Sequence, residues 1–190
     1  MPIGQAKFGL LGLKVEDLGK LELITTQTAS SDTSLDILSI QETTYNIHLL
    51  VLSDITVSVN GAGIFIRTWY GGTPTLATSG YTNANTKIAE DQTLSNPNAT
   101  ASMIAIHNIG SDAGQSGAAS FWLYAAGNSS EDTYANYHYV SQSSGDQTIT
   151  QYGGARHDLT TNVNGIRILV GSSATFSGNV SLYGYSESSS

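Results

Sequence analysis

The sequence predicts an all-β chain folded as a sandwich or barrel, and three observations carry that expectation. Short apolar runs of period two or of β-branched character recur along most of the chain, separated by clusters of Ser, Gly, Asn and Asp. Charged residues make up only 12% of the sequence, so the solvated faces must be built from hydroxyls and amides. Those residue types suit strands and turns and are poor material for long helices. At 190 residues a single domain buries enough apolar surface to fold without staples, and the absence of Cys removes disulfides and thiolate metal sites.

The elements follow in order. Residues 1–20 read as an N-terminal extended arm. Gly4, Gly9, Gly12 and Gly19 interrupt the apolar Ile3, Phe8, Leu10, Leu11 and Leu13, and repeated glycine disfavours a lone helix. An arm this apolar is poorly solvated when free, so it is expected to dock into a neighbouring subunit in preference to packing on its own domain. The domain proper is expected over 21–185. Its first candidate strands are 21–26, 34–37, 45–52, 55–59 and 63–70. In the last of these Phe65, Arg67 and Trp69 share one side, and Ile64, Ile66 and Thr68 the other.

Residues 71–100 hold Gly71, Gly72, Pro74, Gly80 and several Asn, and read as a long loop. Structureless loops longer than about 15 residues are uncommon, which leaves room for one further strand near 76–81. The second half supplies candidates at 102–108, 119–126, 137–142, 148–152, 165–170 and 179–185, making about eleven short strands in all. Alternation assigns Ile166, Ile168 and Val170 to the core and turns Arg167 and Leu169 outward. Residues 186–190 are expected to be a flexible tail.

Charge narrows the partners. A net charge of -8, with only seven Lys and Arg, repels phosphate backbones and anionic headgroups, so nucleic acid is not an expected partner. No apolar run approaches the ~20 residues of a membrane-spanning helix, so no membrane insertion is expected. The opening Met1-Pro2-Ile3-Gly4 lacks the basic lead-in of a signal peptide. It also places Pro2 where myristoylation requires a glycine directly after the initiator methionine.

Two segments carry a resemblance. One is Leu23-Ile24-Thr25-Thr26-Gln27-Thr28-Ala29-Ser30-Ser31, with Ser34-Leu35-Asp36-Ile37 and Thr43-Thr44-Tyr45 after it. The other is Gly165-Ile166-Arg167-Ile168, then Ser172-Ser173, Phe176, Ser177-Gly178 and the closing Ser181-Leu182-Tyr183-Gly184. Together they resemble the short virion structural, tail-fibre-like proteins of aquatic, cyanophage-type tailed bacteriophages. The resemblance implies a jelly-roll-like antiparallel sandwich, a homo-oligomer that is a trimer, and mounting on other virion proteins through the N-terminal arm. It covers the two ends of 21–185 and leaves the middle, 71–160, unmatched. In physical terms the closing segment reads as a hairpin: a strand with Ile166, Ile168 and Val170, a Ser/Gly turn, and a last strand with Leu182 and Tyr183 on opposite faces.

No pattern of catalytic or metal-ligating residues stands out. His48, His107, His138 and His157 fall in different elements without the spacing of a zinc pair, and His48 and His107 read as core or edge residues. Arg156-His157-Asp158 reads as a turn with a local ion pair, because neighbouring strand residues point to opposite faces. No G-x-S-x-G elbow is present, and no cofactor is expected. The aromatic group Trp122, Tyr124, Tyr134, Tyr137 and Tyr139 is the most suggestive feature. Such rings serve as sandwich core, as subunit interface, or as platforms for host-surface glycan.

The expected function is therefore non-enzymatic: a bacteriophage virion subunit on the particle surface, as a tail fibre or tip that adheres to the host. The alternatives are a head decoration protein that reinforces the capsid and, from a different class, a carbohydrate-binding or carbohydrate-active domain.

Overall fold

The computed structural model describes residues 19–91, 94–95 and 102–186. Thirteen strands and no helix occupy them. They are β1 Lys20–Asp32, β2 Ser34–Leu38, β3 Ile47–Val57, β4 Ala62–Tyr70, β5 Thr75–Leu76, β6 Tyr81–Ala89 and β7 Leu94–Ser95. After these come β8 Met103–Ile109, β9 Gly117–Tyr124, β10 Thr133–Gln142, β11 Thr148–His157, β12 Val163–Val170 and β13 Phe176–Ser186.

Eight strands form a large antiparallel sheet in the order β1-β13-β3-β9-β10-β11-β6-β7, and five form a smaller one in which β2-β12-β4-β5 is joined by β8 on β4. The chain neighbour of each strand in the quartet β1-β13-β3-β9 lies in the small sheet, as β2, β12, β4 and β8 respectively. Repeated crossings between the two facing sheets wrap the chain as a jelly roll. Two insertions then widen the large sheet: β10 with β11, and β6 with β7.

The core lies between the sheets. Leu50, Leu52, Phe121, Val180 and Leu182 from the large sheet are at most 2% exposed, as are Ile64, Ile66, Ile166 and Ile168 from the small one. Each such side chain, fully withdrawn from water, contributes about 1.5–3 kcal/mol. The alternation expected in β4 and β12 holds: Ile64, Ile66 and Thr68 point inward, and Arg167 stays partly exposed. A polar clasp crosses the same interior. Thr68 Oγ1 of β4 shares hydrogen bonds with His157 Nδ1 of β11 at 2.9 Å and with the Tyr81 hydroxyl of β6 at 3.1 Å. That hydroxyl also accepts from the Thr68 backbone N–H at 3.0 Å, and the Tyr81 and His157 rings stack with centroids 4.4 Å apart.

Several expectations are corrected. The candidates at 45–52 and 55–59 are one strand, β3, whose register shifts between Leu52 and Ile55. Asp54, at φ 55°, sits in the bulge; the extra residue returns Ile55 to the core three positions after Leu52 and breaks the alternation. The stretch read as a long loop contains β6, nine residues paired along their length with β11. Its sequence, Tyr81 through Ala89, is rich in Asn, Ala and Thr, and the neighbouring strand overrides weak propensity. The closing segment is not a hairpin, because β12 belongs to the small sheet and β13 to the large one. Arg156 and His157 lie inside β11, not in a turn, although Arg156 does pair with Asp158 at 3.1 Å.

Candidate functional site on the outer face of the large sheet

In a sandwich the inner face of each sheet is apolar and the outer face meets water, so an apolar outer face calls for a reason. Cross-strand register shows which residues share that face. One row runs Leu21, Tyr185, Ile47, Tyr124, Tyr134, Arg156 across six strands. The next runs Leu23, Tyr183, Leu49, Trp122, Asn136, Gly154, and a third passes through Ser181, Val51, Ser120, His138 and Tyr152. The intervening residues of these strands face the core, as the strict burial alternation of β9 and β10 shows.

Seven large hydrophobic residues stand exposed among the described residues, and five of them are on this one face: Leu21, Leu23, Tyr134, Val140 and Tyr152. Such clustering is what distinguishes a contact surface from scattered exposed side chains. The face divides in two. On β1, β13 and β3 it is aliphatic and aromatic, with Leu23, Tyr183 and Leu49 side by side and no charged residue in this part of the two rows. On β9, β10, β11 and β6 the rings are interleaved with Asn136, His138 and Gly154 instead, and the surface is grooved.

The sequence-derived aromatic group is split by this geometry. Trp122 and Tyr124 are half-buried and Tyr134 is 47% exposed, all on the outer face. Tyr137 and Tyr139 share a face with each other, as expected, but it is the inner one, at 4% and 0% exposure. For these two the core reading replaces the interface and glycan readings. Tyr137 stacks on Phe121, its hydroxyl accepts from Gln151 Nε2 at 3.2 Å, and burial pushes that phenol well above the ordinary tyrosine range. Tyr152, Tyr183 and Tyr185 belong to the outer face and were missed, because the signal that finds them is strand pairing and not spacing along the chain.

The grooved half holds two adjoining hollows. The first, about 500 Å³, lies between Trp122 and Tyr152 with Asn136, His138 and Gly153 along it. The second, about 330 Å³, lies between Tyr134 and Arg156 over Gly154 and Ala84. Gly153 allows β11 and β6 to approach closely, since a Cβ there would collide with the Ala84 carbonyl and with Asn85. Gly154 differs: a Cβ built on it meets only the Ala135 carbonyl at 3.5 Å, an ordinary contact, so the space above it is open.

The outer face of the small sheet is built differently. Arg167 clamps Asp36 through Nε at 2.7 Å and Nη2 at 2.6 Å, Trp69 Nε1 donates to the same carboxylate at 3.0 Å, and the guanidinium lies over the Trp69 ring. The bidentate hydrogen bond from Arg167 holds the Asp36 carboxyl below its usual range. This cluster satisfies itself. Of the histidines, His48 and His157 are buried, and burial pushes both below the ordinary imidazole value. His138 faces outward on β10, and the side chain of His107 lies outside the described residues. So do the arm residues Ile3, Phe8, Leu10, Leu11 and Leu13 and the tail beyond Ser186. Among the described residues no group of three or more His, Asp or Glu is placed to hold a metal ion. Compared with protein-family models and with curated proteins, the chain finds no match.

Proposed function

We propose that the chain is a non-enzymatic structural subunit on the surface of a tailed-bacteriophage virion, working in the tail apparatus as an adhesive appendage. The observation that carries this reading is the apolar, uncharged half of the large sheet's outer face. A free-standing sandwich gains nothing by exposing Leu21 and Leu23 beside half-buried Ile47 and Leu49, whereas a subunit of an assembly uses them. The occupant is a second copy of this chain. Because the patch carries no charge, two copies meet there without stranding an ion, despite the net charge of -8 on each. Three copies around an axis account for the trimer that the resemblance implies, and the N-terminal arm is the mount on other virion proteins. The resemblance of both ends of the domain to tail-fibre-like virion proteins supports the same assignment.

Cryo-electron microscopy of the particle tests it. The expected map shows a few copies at the tail, with the β1-β13-β3 face turned toward neighbouring copies. Hundreds of copies on the icosahedral shell would replace the tail reading with capsid decoration, and absence from the particle would overturn both. Turnover of a host polysaccharide by the purified protein would overturn the non-enzymatic part.

A further inference from the structure

The groove beside the apolar patch has a chemistry of its own, set by the polar side chains that line it. Thr150 Oγ1 donates its one hydrogen to the Tyr139 carbonyl at 3.0 Å. Its 2.9 Å contact with His138 Nε2 therefore has the imidazole as donor. The neutral ring then carries its proton on Nε2 and presents Nδ1 as an acceptor. Two residues away on the same face, Asn136 Nδ2 donates to the Tyr124 hydroxyl at 3.1 Å, and the amide oxygen is a second acceptor. Asn136 and His138 both line the hollow of about 500 Å³, together with Trp122 of β9 and Tyr152 of β11.

Two aromatic side chains lining one hollow with two acceptor-bearing side chains describe the complement of a hydroxyl-rich ligand, whose C–H faces pack on aromatic rings while its O–H groups donate. Strand geometry places the Cα atoms of Trp122 and Tyr152 about 12 Å apart, two strands across and one outward position along, wide enough for sugar rings to lie between them. The charge balance favours a neutral ligand. The cation at the groove, Arg156, is held by Asp132 at 3.4 Å and Asp158 at 3.1 Å, and the whole chain is acidic. An anionic glycan would meet acceptors and a negative field.

We propose that this groove binds a neutral oligosaccharide, with Trp122 and Tyr152 as ring platforms, Asn136 and His138 as hydroxyl acceptors, and Gly154 as the open floor over which the chain of sugars continues. The inference deepens the adhesive reading, on which it rests, by naming the class of surface ligand and the residues that take it. Gly154 is the informative position, because the fold has room for a side chain there and the groove does not.

The experiment uses the full chain on an array of neutral hexose and N-acetylhexosamine oligosaccharides beside sialylated and sulfated ones. Retained neutral glycans are then titrated by isothermal titration calorimetry. The expected result is binding to neutral glycans that falls at least tenfold in Trp122→Ala, Tyr152→Ala and Gly154→Val, with the unfolding temperature of Gly154→Val held at the wild-type value. Trp69→Ala, on the opposite sheet, should bind as the wild type does. Retention of no neutral glycan, preference for the anionic ones, or unchanged binding by Gly154→Val would overturn the proposal. These failures are separable from failure of the virion assignment. A chain found on the particle without glycan binding removes only the groove, and glycan binding by a chain missing from the particle removes only the virion reading.

Discussion

Acidification should weaken this fold well above the pH at which its carboxylates protonate, because two histidines are folded into dry interiors. His157 is 2% exposed, stacked on Tyr81 and bonded to Thr68 between the sheets. His48 is fully buried on the inner face of β3, where its Nε2–H donates to the Ile40 carbonyl at 2.8 Å and Nδ1 has no partner. Burial holds the folded-state pKa of both below the ordinary value of 6.5. The sign follows from proton uptake. Below pH 6.5 the unfolded chain binds protons that the folded chain refuses, so stability is complete above that value and declines as pH falls toward the folded-state pKa.

The slope reaches about 1.4 kcal/mol per pH unit for each group. Between pH 7.5 and 5.5 that amounts to at most about 1.4 kcal/mol per histidine, and about 2.7 for the pair. Glu22 and Asp36, held low by their partners Lys20 and Arg167, contribute their own loss only below the usual carboxylate values of 4.5 and 3.8. The histidine window is therefore clear of them. Urea unfolding followed by tryptophan fluorescence at pH 7.5, 6.5 and 5.5 measures the effect. In His157→Phe, which keeps an aromatic ring against Tyr81, the decline should fall by about half. A stability that stays flat from pH 7.5 to 5.5, or a full decline in His157→Phe, would refute the reasoning.

Other outcomes follow from single contacts. Tyr81→Phe removes the hydroxyl that accepts from the buried Thr68 N–H and should cost about 1–3 kcal/mol in urea unfolding. Gly184→Val should cost at least about 1–3 kcal/mol by the same assay, since a Cβ at Gly184 enters the Tyr45 ring, which is anchored by its hydroxyl donating to Glu22 at 2.6 Å. Leu23→Asp, at a position 59% exposed, should leave monomer stability within about 0.5 kcal/mol of wild type while weakening self-association in size-exclusion chromatography with light scattering.

How far the sequence revealed this fold can be seen from individual strands. The core face of β12 was legible because Ile166 and Ile168 alternate with Arg167 and Leu169, whereas in β4 the alternation was legible but not which side is the core, since Phe65 and Trp69 oppose Ile64 and Ile66. β3 was cut in two because a bulge at Asp54 inverts the alternation, a conformational event that composition does not announce. β6 was lost among Asn and Thr, since its strand character comes from β11 beside it. The candidate site was half legible. Trp122, Tyr124 and Tyr134 were singled out by residue type, but their separation from Tyr137 and Tyr139 depends on the phase of β9 and β10. The contribution of Leu21, Leu23, Tyr152, Tyr183 and Tyr185 depends on strand pairings between distant parts of the chain. A face made by eight strands is not a feature of any one of them.

The central claim is that the outer face of the large sheet is where this subunit meets its own kind. Sedimentation equilibrium of the full chain beside a Leu23→Asp, Leu49→Asp double variant tests it most directly. The expected wild-type mass is a multiple of 20.0 kDa, three copies in the trimer reading, and the double variant should sediment as a folded monomer. A wild-type chain that remains monomeric at assembly concentrations, or a double variant that keeps the wild-type mass, would contradict the claim.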